Sequence, residues 1–213
     1  MTNAHYHQGD VTLLSLRGRE YRFLGVHPWR ADDTAIADAL PSLRAALGTD
    51  PYAGVGEIGL DRIRTKTVTP AQRRLFEAQL EIAAEFHRPV VLHGAKCWGE
   101  VVRSLRPFAG AVPAFLFHGF SRSGGLLPEI VGLNGFVSVG PAVLNDHAVN
   151  YRALVKTLPL DRLLVETDDG ESEMQGRDAT LAAVFAKTAE LTGLTESQLD
   201  ANAAAFTANL CYN

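Results

Sequence analysis

The residue types in this chain that can hold a metal ion recur at the ends of short apolar runs. Glu57 lies within Ala53-Gly54-Val55-Gly56-Glu57-Ile58-Gly59-Leu60-Asp61, and His93 closes Pro89-Val90-Val91-Leu92-His93. His118 closes Ala114-Phe115-Leu116-Phe117-His118, and Asp168 closes Leu163-Leu164-Val165-Glu166-Thr167-Asp168. Near the N-terminus, His5 and His7 form a His-x-His pair, which a strand would place on one side. A carboxylate at the mouth of a buried strand is unfavourable without a partner. The glycines around Glu57 leave room for a close approach to the backbone. Taken singly, each residue has an ordinary explanation: a hydrogen-bonded histidine, a buried ion pair, a turn cap. Taken together, they deliver imidazoles and carboxylates from separate segments to one rim, which is the pattern of a metal site.

The donor set narrows the ion. Imidazole with carboxylate suits zinc, manganese, iron or nickel, while magnesium favours oxygen ligands and water. Six donors are too many for one open catalytic zinc, which keeps about three protein ligands plus water. They suit two divalent ions sharing a carboxylate. Ions about 3.5–4 Å apart can activate a water and stabilise entering and leaving oxygens. The expected chemistry is hydrolysis of an ester, phosphoester or amide.

The elements that must position these groups follow from periodicity. Strands are expected at 2–7, 11–16, 21–26, around Glu57, before His93, before His118, at 135–139 and at 162–167. Between them, helices are expected at 34–47, from Thr69-Pro70 to Phe86, at 98–105, 126–133 and 147–157, and finally at 178–192 and 195–209. Asp33 or Thr34 is the expected cap of the first helix, and Pro41 marks a point where that helix would break. Thr69 with Pro70 and Thr195 with Gln198 are helix-start signals. Alternating strands and helices predict an α/β fold with parallel strands. The absence of a Gly-rich phosphate loop after the first strand argues against a dinucleotide-binding fold. Functional residues at several strand ends point instead to a distorted (β/α)8 TIM barrel. Residues 8–20 are too few for a helix plus a strand, so the first βα unit is expected to be shortened to a hairpin.

Composition sets the remaining bounds. The 213 residues are read as a single domain, 1–213, with a formal net charge of -4 that offers no global attraction to nucleic acid or anionic membrane. Two cysteines, Cys97 and Cys211, form no framework. No stretch is apolar enough to span a bilayer and no targeting segment is seen, so a cytoplasmic protein is expected.

The stretches Gly25-Val26-His27-Pro28, Gly56-Glu57-Ile58-Gly59-Leu60-Asp61, Val91-Leu92-His93, Phe117-His118-Gly119-Phe120-Ser121 and Glu166-Thr167-Asp168 resemble, in this order, the motifs of the TatD family. These are metal-dependent hydrolases of the amidohydrolase superfamily, often described as DNases. The resemblance runs from about residue 3 to residue 209, and within the family it is to a compact branch. It implies that His5, His7, Glu57 and Asp168 hold one ion, and Glu57, His93 and His118 the other, with Glu57 as the bridge. It also implies that Asp168 orients or deprotonates the attacking water. The chain departs from the family in its short segment 8–20. It departs again in Gln8-Gly9 after the His-x-His, and in Asp169-Gly170-Glu171 after Glu-Thr-Asp, where added acid would repel a polyanion.

His27, before Pro28 at a strand end, and Lys96 and Arg122, each a few residues after a ligand strand, are the candidate substrate-binding residues. Asp61 is expected to orient a loop or a ligand. Trp29 and Trp98 could stack on a base or pack beneath the rim, and His87 and His147 are read as surface residues on helices. The leading function is a TatD-type deoxyribonuclease or phosphodiesterase using a water activated by two metal ions, with DNA or an oligonucleotide as substrate and no obligate protein partner. A hydrolase of a small ester, amide or phosphate monoester, and a non-catalytic metal-binding scaffold, are the alternatives.

Overall fold

The computed structural model describes residues 9–16, 19–31, 36–121, 124–167 and 177–210. The strand expected at 2–7 lies outside the described residues, and the first described elements form a hairpin, β1 (Asp10–Leu16) and β2 (Arg19–Gly25), paired antiparallel from Asp10 opposite Gly25 to Leu16 opposite Arg19. A parallel return needs a crossover of about a dozen residues or more. The chain between these strands is far shorter, so the strand folds straight back, as expected from its length. A single 3-10 turn (Pro28–Arg30) and α1 (Ile36–Thr49) then lead to β3 (Gly54–Asp61).

From there the alternation is regular. It runs α2 (Pro70–Glu85), β4 (Val90–Ala95), α3 (Trp98–Leu105), β5 (Phe115–Phe117), α4 (Leu127–Gly132), β6 (Gly135–Val139), α5 (Val149–Val155) and β7 (Leu163–Val165). The chain closes on α6 (Arg177–Thr192) and α7 (Glu196–Phe206). The strands are ordered β1 to β7 in one sheet, parallel from β2 onward. The sheet curls into a half-barrel, and among the described residues β7 does not pair back onto β1. This is the distorted barrel with a shortened first unit.

Period two along the strands sorts the core into two faces. Val90, Leu92, Phe115, Phe117, Leu163 and Val165 belong to one cluster, packed with Leu43 and Leu47 of α1, Phe76 and Leu80 of α2 and Val101 of α3. Val91, Leu116, Phe136 and Leu164 belong to the other, filled by Phe206 of α7 and by Phe23 and Leu14 of the hairpin. Phe206 stacks on Phe23 at 5.8 Å and meets Phe136 edge-on at 5.7 Å. The same alternation puts His93 within β4, and His118 and Glu166 just past the ends of β5 and β7, on the face of Val91, Leu116 and Leu164.

Strand β3 reaches that face by breaking the rule. Val55, Ile58 and Leu60 all join the helix-side cluster, although Val55 and Ile58 are an odd number of residues apart. The register against β4 slips between them, from Val55 opposite Val90 to Ile58 opposite Leu92. A bulge of this kind re-aims a side chain beside a functional site, and here it turns Glu57 toward His93. Two glycines make it possible. Gly56 takes φ +152°, and a Cβ on Gly59 would lie 2.0 Å from the His93 carbonyl oxygen.

The helix signals hold. Thr69 Oγ1 accepts from Gln72 N at 3.1 Å, and Leu75, Phe76, Leu80, Ile82 and Ala83 are buried. Thr195 and Gln198 cap α7 reciprocally. Two local expectations are corrected. Pro41 does not break α1, because it stands in the second turn of a helix that starts at Ile36, where its missing N–H removes a single intrahelical bond. His87 and His147 are not helical. His87 turns the chain after α2 at φ +52° with Nδ1 2.9 Å from Ala111 O, and the His147 amide donates to Asn145 Oδ1 in the turn before α5. The capping positions proposed for α1 lie outside the described residues.

Candidate metal centre

His93 is the hub. Its Nε2 lies 3.0 Å from Asp61 Oδ2, and its Nδ1 lies 3.1 Å from Glu57 Oε1 and 3.2 Å from His27 Nε2. Asp61 is buried and fully engaged: Oδ2 also accepts from Trp29 Nε1 at 2.7 Å, and Oδ1 from the amides of Ile63 at 2.6 Å and Arg64 at 2.9 Å. An ionised carboxylate only accepts, so His93 Nε2 carries the proton and Nδ1 is left facing Glu57. A carboxylate backing one ring nitrogen so that the other points at an ion is a recurrent device of metal sites. Asp61 therefore does both things expected of it, fixing the loop and the ring.

His27 completes the group. Its Nδ1 accepts from Trp29 N at 3.3 Å, so Nε2 carries the ring proton and directs it at His93 Nδ1; to ligate an ion through Nε2, His27 would give up that proton. One donor atom each from His27, Glu57 and His93 lies within 4.8 Å of the others, so these residues could hold a metal ion. The 3.2 Å between the histidine nitrogens suits two ligands of one ion, since bonds of about 2.0–2.1 Å in a tetrahedral arrangement separate nitrogens by about 3.3 Å. The donor set and its spacing thus fit a divalent ion.

The electrostatics agree. Burial pushes the Glu57 carboxyl up, but the hydrogen bond with His93 and the charges of His118, His93 and His27 outweigh it and hold it at about 2. Burial and the charge of His93 bring His27 down to about 4. Burial would lower His93 as well, yet its contacts with Glu57 and Asp61 raise it.

His118 is fixed from the opposite nitrogen. Its Nδ1 lies 2.6 Å from Glu166 Oε2, while Glu166 Oε1 accepts from Gly119 N at 3.0 Å. Glu57 is further tied to the hairpin, where its amide donates to Thr12 Oγ1 at 3.2 Å. The side chains open onto a cavity of about 1290 Å³, and a second cavity of about 860 Å³ adjoins it across Gly119 and Ser121.

Of the residues singled out in the sequence, Glu57, His93 and His118 meet at one rim, and His27 stands among the donors rather than out at the substrate side. Lys96 is exposed on the wall of the larger cavity. His5, His7, Arg122 and Asp168 lie outside the described residues, as do Asp169 and Glu171. Trp98 packs beneath the rim against Phe117 and Phe120, whereas Trp29 stays exposed on it. The sequence reading missed Glu166 and Thr12. Glu166 carried a signal, as the first polar residue after an apolar run; Thr12 carried none, because its partner is fixed only by the hairpin's position.

Residues 5–211 match the family model for TatD related DNase, and the chain belongs to this family. It is 35% identical over 147 residues to the 3'-5' ssDNA/RNA exonuclease TatD of Pectobacterium carotovorum subsp. carotovorum, covering 68% of this chain and 55% of that protein. It is 29% identical over 148 residues to the uncharacterized metal-dependent hydrolase YabD of Bacillus subtilis, covering 70% and 58%. These matches span little more than half the length of the curated relatives. Among solved structures, YJJV, a TATD homolog from Escherichia coli k12, superposes with a TM-score of 0.75 at 28% identity over 89% of this chain and 76% of that one. No helix among the described residues is long and apolar enough to cross a membrane.

Proposed function

We propose that this chain is a metal-dependent phosphodiesterase of TatD type that hydrolyses nucleic acid on a single domain. The observation that carries the reading is the convergence of Glu57, His93 and His27 donors within 4.8 Å at the mouth of a cavity. Membership of the family and the nuclease names of its relatives support it.

Glu57, His93, His118 and His27 would hold the metal from the described side. His5, His7 and Asp168 are proposed to complete a two-ion set, with Glu57 bridging. Divalent ions there would supply Lewis acidity, both to a water and to the phosphoryl oxygens. The chain's own part is positional. Asp61 keeps the proton on His93 Nε2, Glu166 engages His118 Nδ1, and the Thr12 hydroxyl holds the Glu57 backbone. Asp168 is assigned the proton of the attacking water. DNA or RNA is the proposed substrate.

Metal content and a hydrolysis panel test this on the purified chain and on Glu57→Gln. About two equivalents of divalent metal, with oligonucleotide cleavage that falls by a factor on the order of 10³ or more in the variant, is the expected result. Cleavage of a carboxyl ester alone would move the substrate to a small molecule. Metal binding with no hydrolysis of phosphodiester, ester or amide would leave a binding scaffold.

A further inference from the structure

The chain is acidic overall, with a formal charge of -4, yet the larger cavity is not. Five of its 20 lysines and arginines, Arg30, Arg62, Arg64, Lys96 and Arg103, line this one space. Two are committed elsewhere: Arg30 pairs with Asp10 at 3.5 Å, and Arg62 shares buried Glu100 with Arg73. Among the described residues, no carboxylate pairs with Arg64, Lys96 or Arg103, and all three are exposed. The loops after β3 and β4 and helix α3 thus present cations that pair with no described carboxylate beside the metal donors, while among the described residues no lysine or arginine lines the smaller cavity.

Trp29 stands at the junction of the cation row and the metal donors. Its indole N–H is fixed on buried Asp61, and its ring meets His27 edge-on at 4.6 Å, yet it remains 54% exposed. A large apolar ring held rigid and left in water is a ready stacking platform. Arg64 lies over this ring, 5.5 Å from its centre. A base has an apolar face and a charged phosphate on either side of it, and single-strand binders join aromatic platforms to a basic groove for that reason.

We propose that Trp29, Arg64, Lys96 and Arg103 form a single-strand track. Trp29 stacks the base next to the scissile phosphate, and the three cations take the phosphates that follow along the β3–β4 side of the cavity. The track recognises an unpaired strand, since the bases inside a duplex are stacked on both faces and leave none for Trp29. The proposal rests on the nuclease reading for what happens at the metal, but the track is a binding site in its own right.

The test is affinity. A fluorescently labelled oligothymidylate of about ten nucleotides is titrated into metal-free protein over a range of salt. Tryptophan emission is followed in parallel. Three phosphate contacts make log K fall with log salt, and the variant Arg64→Gln/Lys96→Gln/Arg103→Gln lowers that slope by about 2. Trp29→Leu weakens binding on the order of tenfold and abolishes quenching by the oligonucleotide, with the slope retained. A duplex of the same length gives little quenching. Circular dichroism confirms that these surface variants fold. An unchanged slope in the triple variant, or equal quenching by duplex and single strand, overturns the track. Cleavage reads the other proposal separately: binding as described without cleavage removes the nuclease reading and keeps the track, and cleavage with an unchanged slope does the reverse.

Discussion

Two histidines at the candidate centre are held by opposite means. His93 hangs its Nε2 on Asp61 and offers Nδ1, whereas His118 hangs its Nδ1 on Glu166. The first is embedded in a dense local network. Asp61 binds Trp29 and two backbone amides as well as His93, and β3 itself is bulged to bring Glu57 round. In the second, the Glu166 carboxylate spans His118 and the Gly119 amide. The cavity wall repeats the asymmetry among the described residues, cationic on the β3–β4 side and without lysine or arginine on the other. Both halves join residues tens of positions apart, Asp61 with His93 and Glu166 with His118, and they differ in which ring nitrogen the carboxylate takes.

Glycines give the largest expected contrast. Gly59→Ala puts a methyl 2.0 Å from the His93 carbonyl and forces β3 and β4 apart. A loss on the order of 3 kcal/mol or more is expected in thermal unfolding, together with loss of metal binding. Gly119→Ala, at φ +57° with only Glu166 Oε1 at 4.0 Å, meets open space. It should lose only about 1–2 kcal/mol, for the left-handed backbone. Equal losses at the two positions would erase the difference between the halves.

The carboxylates sharpen it further. Asp61→Asn should weaken metal affinity by about 10–100-fold in calorimetric titration, the usual effect of removing a group that orients a ligand. Glu166→Gln, which can still accept from the Gly119 amide, should fall at the lower end of that range. A larger effect at Glu166 would show that the His118 half governs the metal.

Acid should then separate them in the metal-free protein. Burial raises the Asp61 carboxyl, but its hydrogen bonds from Arg64, Trp29, His93 and Ile63 bring it from 3.8 to about 2. A depressed folded value stabilises fully above the unfolded one and fades as pH falls through the folded one. Asp61 therefore contributes on the order of 2 kcal/mol above about pH 4, lost on the way to about pH 2. Denaturant titrations of Asp61→Asn should show lower stability at neutral pH and a flatter fall below about pH 4. A fall as steep as in the parent chain would remove Asp61 as its source.

The smallest effect is expected at the hairpin. Thr12→Val deletes the acceptor for the Glu57 amide and should lower stability by about 1 kcal/mol. No change would show that the bulge alone positions Glu57.

Much of this was legible in the chain. The runs ending in His93 and His118 announced their strands, since period two fixes which side a terminal histidine joins. Thr69-Pro70 and Thr195 announced their helices through capping chemistry that needs only near neighbours. The short connection before Gly25 dictated a hairpin, because a helix crossover has a minimum length. Pro41 misled, since a proline's effect depends on how far it stands from a helix start that its own residue does not set.

The donor types and strand ends were therefore determined by sequence alone: local periodicity and chain length decide them. The tertiary structure alone decided the pairing of Glu166 with His118, the hold of Thr12 on Glu57, the approach of His27 to His93 and the exposure of Trp29 beside the cationic wall. The hydrogen bonds among them join residues tens of positions apart, and that of Glu57 depends on a one-residue slip between Val55 and Ile58. A hydrogen bond is made or lost within a few tenths of an ångström, and only the packed sheet sets distances that finely.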